Sequence, residues 1–233
     1  MYDDSSYEVQ TSSNSLTACL LNVYWWMAFA LLISATSAYL VGTSEEMLKL
    51  FIKNPLMFWV AILVEFGLVI AISAGINRMA AATATALFIL YAAVNGLTLS
   101  FIFAAYSTEA IVTTFAVTAG TFGAMAVIGT VTKKDLTSLG NLFFMALLGL
   151  IIASVVNLFC ASSTLYWICT YAGVLIFVGL TAYDANKIKM MYIQAGTDDR
   201  ETVRKIAVIG ALQLYLDFVN LFLYLLRIFG RRR

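Results

Sequence analysis

Residues 206–226 read IAVIGALQLYLDFVNLFLYLL. The run is apolar except for Gln213, Asp217, Asn220, two tyrosines and a glycine, and Asp217 is its single charge. A helix of about 20 such residues is long enough to cross the roughly 30 Å of hydrocarbon in a bilayer. A barrel strand would show an apolar residue at every second position, and no such alternation is present. Gln213, Asp217, Asn220 and Tyr224 follow one another at spacings of four, three and four, which place them on one helix face. The remaining faces are Leu, Phe, Val and Ile, so the polar stripe has to point into a bundle rather than at lipid. A helix of this kind belongs at the centre of a membrane protein.

Six further runs of similar length precede it, at Leu21–Val41, Met57–Ile76, Thr83–Tyr106, Ala110–Val131, Leu142–Ala161 and Leu165–Tyr183. Hydrophobic residues make up 62% of the chain and charged residues 12%, about half the charge a soluble domain uses to cover its surface. The fold class is therefore all-α, a polytopic bundle of seven transmembrane helices whose first partner is the lipid bilayer. Residues 21–230 form a single transmembrane domain between a polar amino-terminal tail, 1–20, and a basic tail, 231–233. Asp3, Asp4 and Glu8 lie in the first tail, and no Lys or Arg precedes the first apolar run, so a secretory signal peptide is not expected. The longest polar connection runs from Asn186 to Lys205 and is too short to be a domain.

Pro55, the one proline of the chain, suits the first turn of the second span. Before it, Ser44-Glu45-Glu46 and Met47, Leu48, Phe51 and Ile52 fit either a short capped amphipathic helix at the interface or a plain loop. Tyr91, Asn95 and Thr98 share one face of the third span. Ala116, Gly120 and Ala124 share a small-residue face of the fourth, where another helix is expected to approach closely. Seven crossings place eight Lys and Arg on the amino-terminal side and six on the other. Basic residues in short loops stay preferentially cytoplasmic, which favours a cytoplasmic amino terminus. Arg231–Arg233 reads as a topology or headgroup anchor.

The chain contains no histidine, which removes Ser-His and Cys-His nucleophile pairs and the His-Glu-x-x-His zinc helix. Cys19, Cys160 and Cys169 lie in or beside apolar spans without metal-ligand spacing. Cys160 and Cys169 flank one short turn and can pair or remain free thiols. No cofactor motif, phosphate-cradling loop or nucleic-acid patch is present, and the chain is read as no enzyme. Proton-linked behaviour near neutrality must then come from carboxylates perturbed by burial or by a like-charged neighbour. Three acids qualify: Glu65 in the second span, Asp184 closing the sixth, and Asp217, about 16 Å into the seventh from Ile206. A charged Asp at the bilayer centre costs about 2.5–3.5 kcal/mol on insertion scales. The bland role for Asp217 is interhelical hydrogen bonding, which Asn or Gln would serve at lower cost. Asp184 can equally be a solvated boundary residue. Arg78, at the end of a span on the same membrane face, can be a snorkelling anchor or the partner of Asp184.

Gly179-Leu180-Thr181-Ala182-Tyr183-Asp184 and Leu214-Tyr215-Leu216-Asp217-Phe218-Val219-Asn220-Leu221-Phe222-Leu223 together resemble the Bax inhibitor-1 family, most of all its bacterial branch. The resemblance extends through Glu65-Phe66-Gly67-Leu68, Asn95-Gly96-Leu97-Thr98-Leu99-Ser100 and Leu225-Leu226-Arg227-Ile228-Phe229-Gly230. It implies that the seventh helix is central between two three-helix layers, helices one to three and four to six. It implies a pH-sensitive calcium-permeable leak channel of the inner membrane, gated by a proton-sharing aspartate pair. Carried over residue by residue, Asp184 and Asp217 are that pair and the transient Ca²⁺ ligands. Arg78 is the latch, and Glu65, Gln213 and Asn220 are supporting polar residues.

Two close carboxylates lose their protons in coupled steps. Loss of the shared proton at higher pH would free Asp184 to pair with Arg78, let the seventh helix shift, and expose carboxylate oxygens that suit the hard Ca²⁺ ion. Ca²⁺ and H⁺ are then the ligands of a monomer. A second reading is a non-transporting regulator of another membrane protein, such as a quality-control protease. A third, an intramembrane aspartyl protease, is supported by Tyr183-Asp184 but opposed by Leu214-Tyr215-Leu216-Asp217, which lacks the Gly-x-Gly-Asp sequence such enzymes carry.

Overall fold

The computed structural model describes residues 4–134, 136–196 and 199–230, without the side chains of 4–14, 49–52 and 137; the basic tail, 231–233, lies outside the described residues. Within them the chain is all-helical: α1 (Asp4–Gly42), α2 (Glu45–Lys53), α3 (Pro55–Gly75), α4 (Ala81–Leu99), α5 (Ile102–Ala105), α6 (Thr108–Val131), α7 (Gly140–Cys160), α8 (Ser163–Ala195) and α9 (Arg200–Phe229), with a 3-10 turn at Thr137–Leu139. Seven helical stretches are long and apolar enough to cross a membrane: Ser15–Gly42, Pro55–Gly75, Ala81–Ala105, Thr108–Val131, Gly140–Cys160, Ser163–Ala195 and Arg200–Phe229.

Sequence and local structure agree at the expected punctuation. Pro55 occupies the first turn of α3, where its missing N–H costs nothing. The Ser44-to-Ile52 segment is a helix, α2, with Glu45 and Glu46 in its first turn and Lys53 in its last, each charge suited to the dipole end it occupies. The third span is interrupted where Ser100 turns its hydroxyl onto the carbonyl of Leu97 (2.6 Å).

Burial separates the helices sharply. In the most apolar 18-residue windows, 72% of α9 is buried against 6% of α3 and of α7. Lipid-facing helices carry apolar residues all round because hydrocarbon solvates them. α9 is instead enclosed by protein, as its polar stripe requires. The chain divides into two compact units, one of Met1–Ile102 and Ile188–Tyr215, the other of Phe103–Lys187 and Leu216–Arg233. In the first, the Tyr215 ring of α9 meets Phe88 and Tyr91 of α4 edge-on, with centroids 5.8 and 5.6 Å away. In the second, Phe218 of α9 packs on Phe115 and Phe122 of α6 at 5.2 and 5.4 Å. Such edge-to-face pairs suit the ring quadrupoles.

Three expectations are corrected. The sixth span does not close at Asp184, because α8 continues to Ala195. Hydropathy drops at Lys187 and Lys189, yet Ala185, Ile188 and Tyr192 remain buried at helical spacing, so one face still packs while the lysines leave the apolar environment. α8 ends at Ala195 and α9 begins at Arg200, so the polar stretch from Asn186 to Lys205 is largely helical; Gly196 adopts φ 55°, the left-handed conformation that ends a helix. The small-residue face of the fourth span is also not a contact: Ala116, Gly120 and Ala124 are exposed, and a Cβ on Gly120 would meet open space. The buried stripe of α6 runs instead through Ile111, Thr114, Thr118, Phe122, Ala126 and Gly129. All three cysteines are free, Cys19 and Cys169 buried and Cys160 exposed.

Asp199 starts α9 by accepting from the Thr202 backbone N–H and hydroxyl, both at 2.9 Å. That backbone donor holds its carboxyl below the usual carboxylate range. A depressed carboxyl stabilises the fold above the unfolded pKa, about 3.9, and loses that contribution as pH falls through the folded value. The gap in thermal stability between wild type and Asp199→Asn is therefore expected to narrow between pH 6 and pH 3. A gap that stays constant over that range, measured by thermal unfolding in detergent, would remove the charged cap from the account.

Candidate functional site

Asp184 and Asp217 come together within the second unit. Asp184 stands late in α8, and Asp217 in the second half of α9. They are 9% and 4% exposed, and their carboxyl groups are near enough to interact with each other. A carboxylate only accepts, so two carboxyl groups this close can hydrogen-bond only when one of them carries a proton. Lys187, one turn beyond Asp184, places Nζ 3.9 Å from Asp184 Oδ1 and 5.8 Å from the Tyr183 ring centroid. Asp217 Oδ2 is buried without a hydrogen-bond partner among the described residues. Ionising Asp217 leaves that oxygen with no donor, a costly arrangement unless water, a cation or a helix movement supplies one.

Asn186 anchors the α8 side of the pair. It is fully buried, accepts from Leu136 N–H at Oδ1 (3.0 Å), and donates from Nδ2 to the carbonyls of Gly129 (3.1 Å) and Lys134 (3.4 Å). One side chain therefore ties the end of α6 and the following loop to α8, two residues beyond Asp184. Its place beside two lysines made it look like a loop residue in the sequence.

A second polar cluster lies in the first unit. Glu65, half-buried in α3, accepts at Oε2 from Asn95 Nδ2 (3.1 Å) and at Oε1 from the Thr98 hydroxyl (2.7 Å). Tyr215, two residues before Asp217, donates to Asn95 Oδ1 (2.8 Å). Its hydroxyl oxygen also lies 2.6 Å from that of Ser34, where either can be the donor, and the Ser34 hydroxyl reaches the Ala92 carbonyl at 2.7 Å. Ser34, Tyr215, Asn95 and Glu65 thus link α1, α9, α4 and α3. The shared face of Tyr91, Asn95 and Thr98 holds as read from sequence. Ser34 and Tyr215 were missed, although a Tyr amid apolar residues at mid-span signals a partner for its hydroxyl. Tyr215→Phe is expected to lower stability by about 1–3 kcal/mol, because it leaves Asn95 Oδ1 buried without its donor. A thermal midpoint equal to that of wild type would show the hydroxyl to be dispensable.

The other sequence candidates separate. Gln213 lies on α9 in the first unit, with Oε1 buried and lacking a partner among the described residues. Asn220 donates from Nδ2 to the Leu216 carbonyl (2.8 Å) on its own helix. Tyr224 packs at 5.8 Å on the Phe177 ring. Arg78 is exposed in the turn after α3, where its N–H bonds the Gly75 carbonyl at 2.8 Å; it belongs to the first unit and Asp184 to the second. Among the described residues no group of three or more His, Cys, Asp or Glu could hold a metal ion.

Seven hydrophobic spans and a buried carboxyl pair define a polytopic helical membrane protein with titratable groups inside it. The family model described as inhibitor of apoptosis-promoting Bax1 matches residues 16–233, and the chain belongs to the Bax inhibitor-1 family. It is 48% identical over 218 residues to the inner membrane protein YbhL of Escherichia coli, covering 94% of this chain and 93% of that one. An uncharacterized protein of Borreliella burgdorferi is 48% identical over 214 residues, with 92% of each chain covered. An uncharacterized membrane protein of Streptococcus pyogenes is 36% identical over 230 residues, 97% of this chain and 99% of that one.

Proposed function

We propose that this protein is a pH-sensitive, calcium-permeable leak channel of the bacterial inner membrane, gated by Asp184 and Asp217. The observation that carries the reading is the close approach of two buried carboxyl groups on different helices. At low pH the shared proton joins α8 to α9. As pH rises and that proton leaves, the two anions repel, and Lys187 is the cation beside Asp184. Separation of α8 from α9 then exposes oxygen ligands of the kind Ca²⁺ prefers. Two carboxylates make a weak site, which lets a permeant ion leave as readily as it enters.

In this reading Arg78 is the latch that receives Asp184 once it is ionised, while Glu65, Gln213 and Asn220 are polar residues supporting the path. The protein acts as a monomer with its amino terminus in the cytoplasm, carries no cofactor and catalyses no covalent reaction. The inner-membrane location follows the relative in Escherichia coli. Purified protein in liposomes, assayed for Ca²⁺ entry between pH 5 and pH 8, tests the function. Flux that rises with pH supports it. Folded protein that passes no Ca²⁺ at any pH defeats it.

A further inference from the structure

At the other end of α8 from the aspartates, a cavity of about 610 Å³ opens where α7 ends, α8 begins and α9 ends. Its lining offers hydrogen-bond donors and no carboxylate. Asn157 Oδ1 already accepts from the Ser162 N–H (3.0 Å), so what this side chain can offer a ligand is its N–H₂. Ser162 Oγ accepts from the Leu165 N–H (3.3 Å), which leaves its O–H proton to donate. Ser163 adds a second hydroxyl in the first turn of α8, a 33-residue helix whose positive dipole end faces this side.

The charge is supplied by Arg227. Its guanidinium carbon sits 5.6 Å from the Tyr166 ring centroid and 4.9 Å from that of Tyr224, so two rings orient it before any ligand arrives. No carboxylate among the described residues forms an ion pair with it. Next in sequence to the lining residues Asn157 and Trp167, Leu158, Phe159 and Ile168 are 80%, 85% and 58% exposed, as side chains lying against acyl chains would be. The Trp167 and Tyr171 rings stack at 5.8 Å, and such aromatics concentrate at the headgroup level.

We infer that this cavity binds the phosphate of an anionic phospholipid, with Arg227 as the charged ligand and Asn157, Ser162 and Ser163 as neutral donors. A guanidinium suits a phosphate because its N–H fork meets two oxygens at once. The exposed apolar side chains on the same helix ends select a lipid over free phosphate, since a soluble anion gains nothing from them. The inference is independent of the aspartate gate, as it uses neither acid.

Native mass spectrometry of the full chain in detergent tests it, with phosphatidylglycerol and phosphatidylcholine as probes. Wild type is expected to retain phosphatidylglycerol in preference, and Arg227→Gln to weaken that retention about tenfold or more. Ser163→Asp keeps the α8 start well formed, because an acid suits the first turn, but brings a negative charge to the cavity; it is expected to reduce retention similarly. Arg231–Arg233 stay intact in both variants, so the attraction of anionic lipid to the basic tail is retained. Equal retention by wild type and both variants overturns the site. Displacement of the lipid by millimolar inorganic phosphate overturns the lipid as its occupant.

Discussion

In liposomes carrying Asp217→Asn, Ca²⁺ flux is expected to lose its dependence on pH. The amide keeps the size of the carboxyl and can still donate to Asp184, but it has no proton to release in the titrating range. In the wild type the ionised fraction of a carboxyl changes up to about tenfold per pH unit, and flux governed by the pair is expected to climb that steeply at most. In the variant it should vary by less than about twofold across the same range, the residue of coupling through other groups. Asp184→Asn should flatten the profile as well, because two closely interacting carboxyl groups titrate as one system, and the double variant should add little to either single one. A folded Asp217→Asn protein with the wild-type slope would move the pH sensor elsewhere, with Glu65 the next acid to replace. Loss of all flux in the variant, with stability intact, would instead make Asp217 part of the path.

The spans and the polar stripe were legible because lipid imposes a strong rule: an apolar run of fixed length, with exceptions only where protein covers them. That rule located Asp217 and the Asn95 face of α4. It failed where a helix leaves hydrocarbon but remains packed. α8 passes Lys187 with Ile188 and Tyr192 still buried, a pattern visible as helical spacing but invisible to average hydropathy. The failure at Ala116, Gly120 and Ala124 has the opposite cause. Small residues permit close approach without requiring it, and in α6 they face outward while Gly129 receives the neighbouring helix. The pairing of Asp184 with Asp217 was available only through the family resemblance, since no spacing relates residues on two helices. Tyr215 went unread because a stripe at spacings of three and four selected the face next to it.

Gly129→Leu is expected to destabilise the protein by more than about 4 kcal/mol, the range reserved for core changes the backbone cannot absorb. A Cβ at this position would overlap the carbonyl oxygen, carbon and Cα of Ala182. These are main-chain atoms of α8, which cannot swing aside as a side-chain tip would. Gly129→Ala introduces the same clash with the smallest side chain and should cost about 1–3 kcal/mol through forced separation of the helices. The separation would not stay local, because the Gly129 carbonyl is also the acceptor of Asn186 Nδ2. Moving α6 away breaks that bond and displaces α8 at Ala182 and Asn186, the residues on either side of Asp184. Gly129→Ala and Asn186→Ala should therefore fall short of additivity by about 0.5–3 kcal/mol in a double-mutant cycle, since the first has already lost part of what the second removes. Thermal unfolding of the three proteins in one detergent reads this directly. A Gly129→Ala protein as stable as wild type would mean that α6 and α8 yield more freely than their backbone contact implies. The aspartate pair could then tolerate helix displacement at its base, and the gate would have to move by some other hinge.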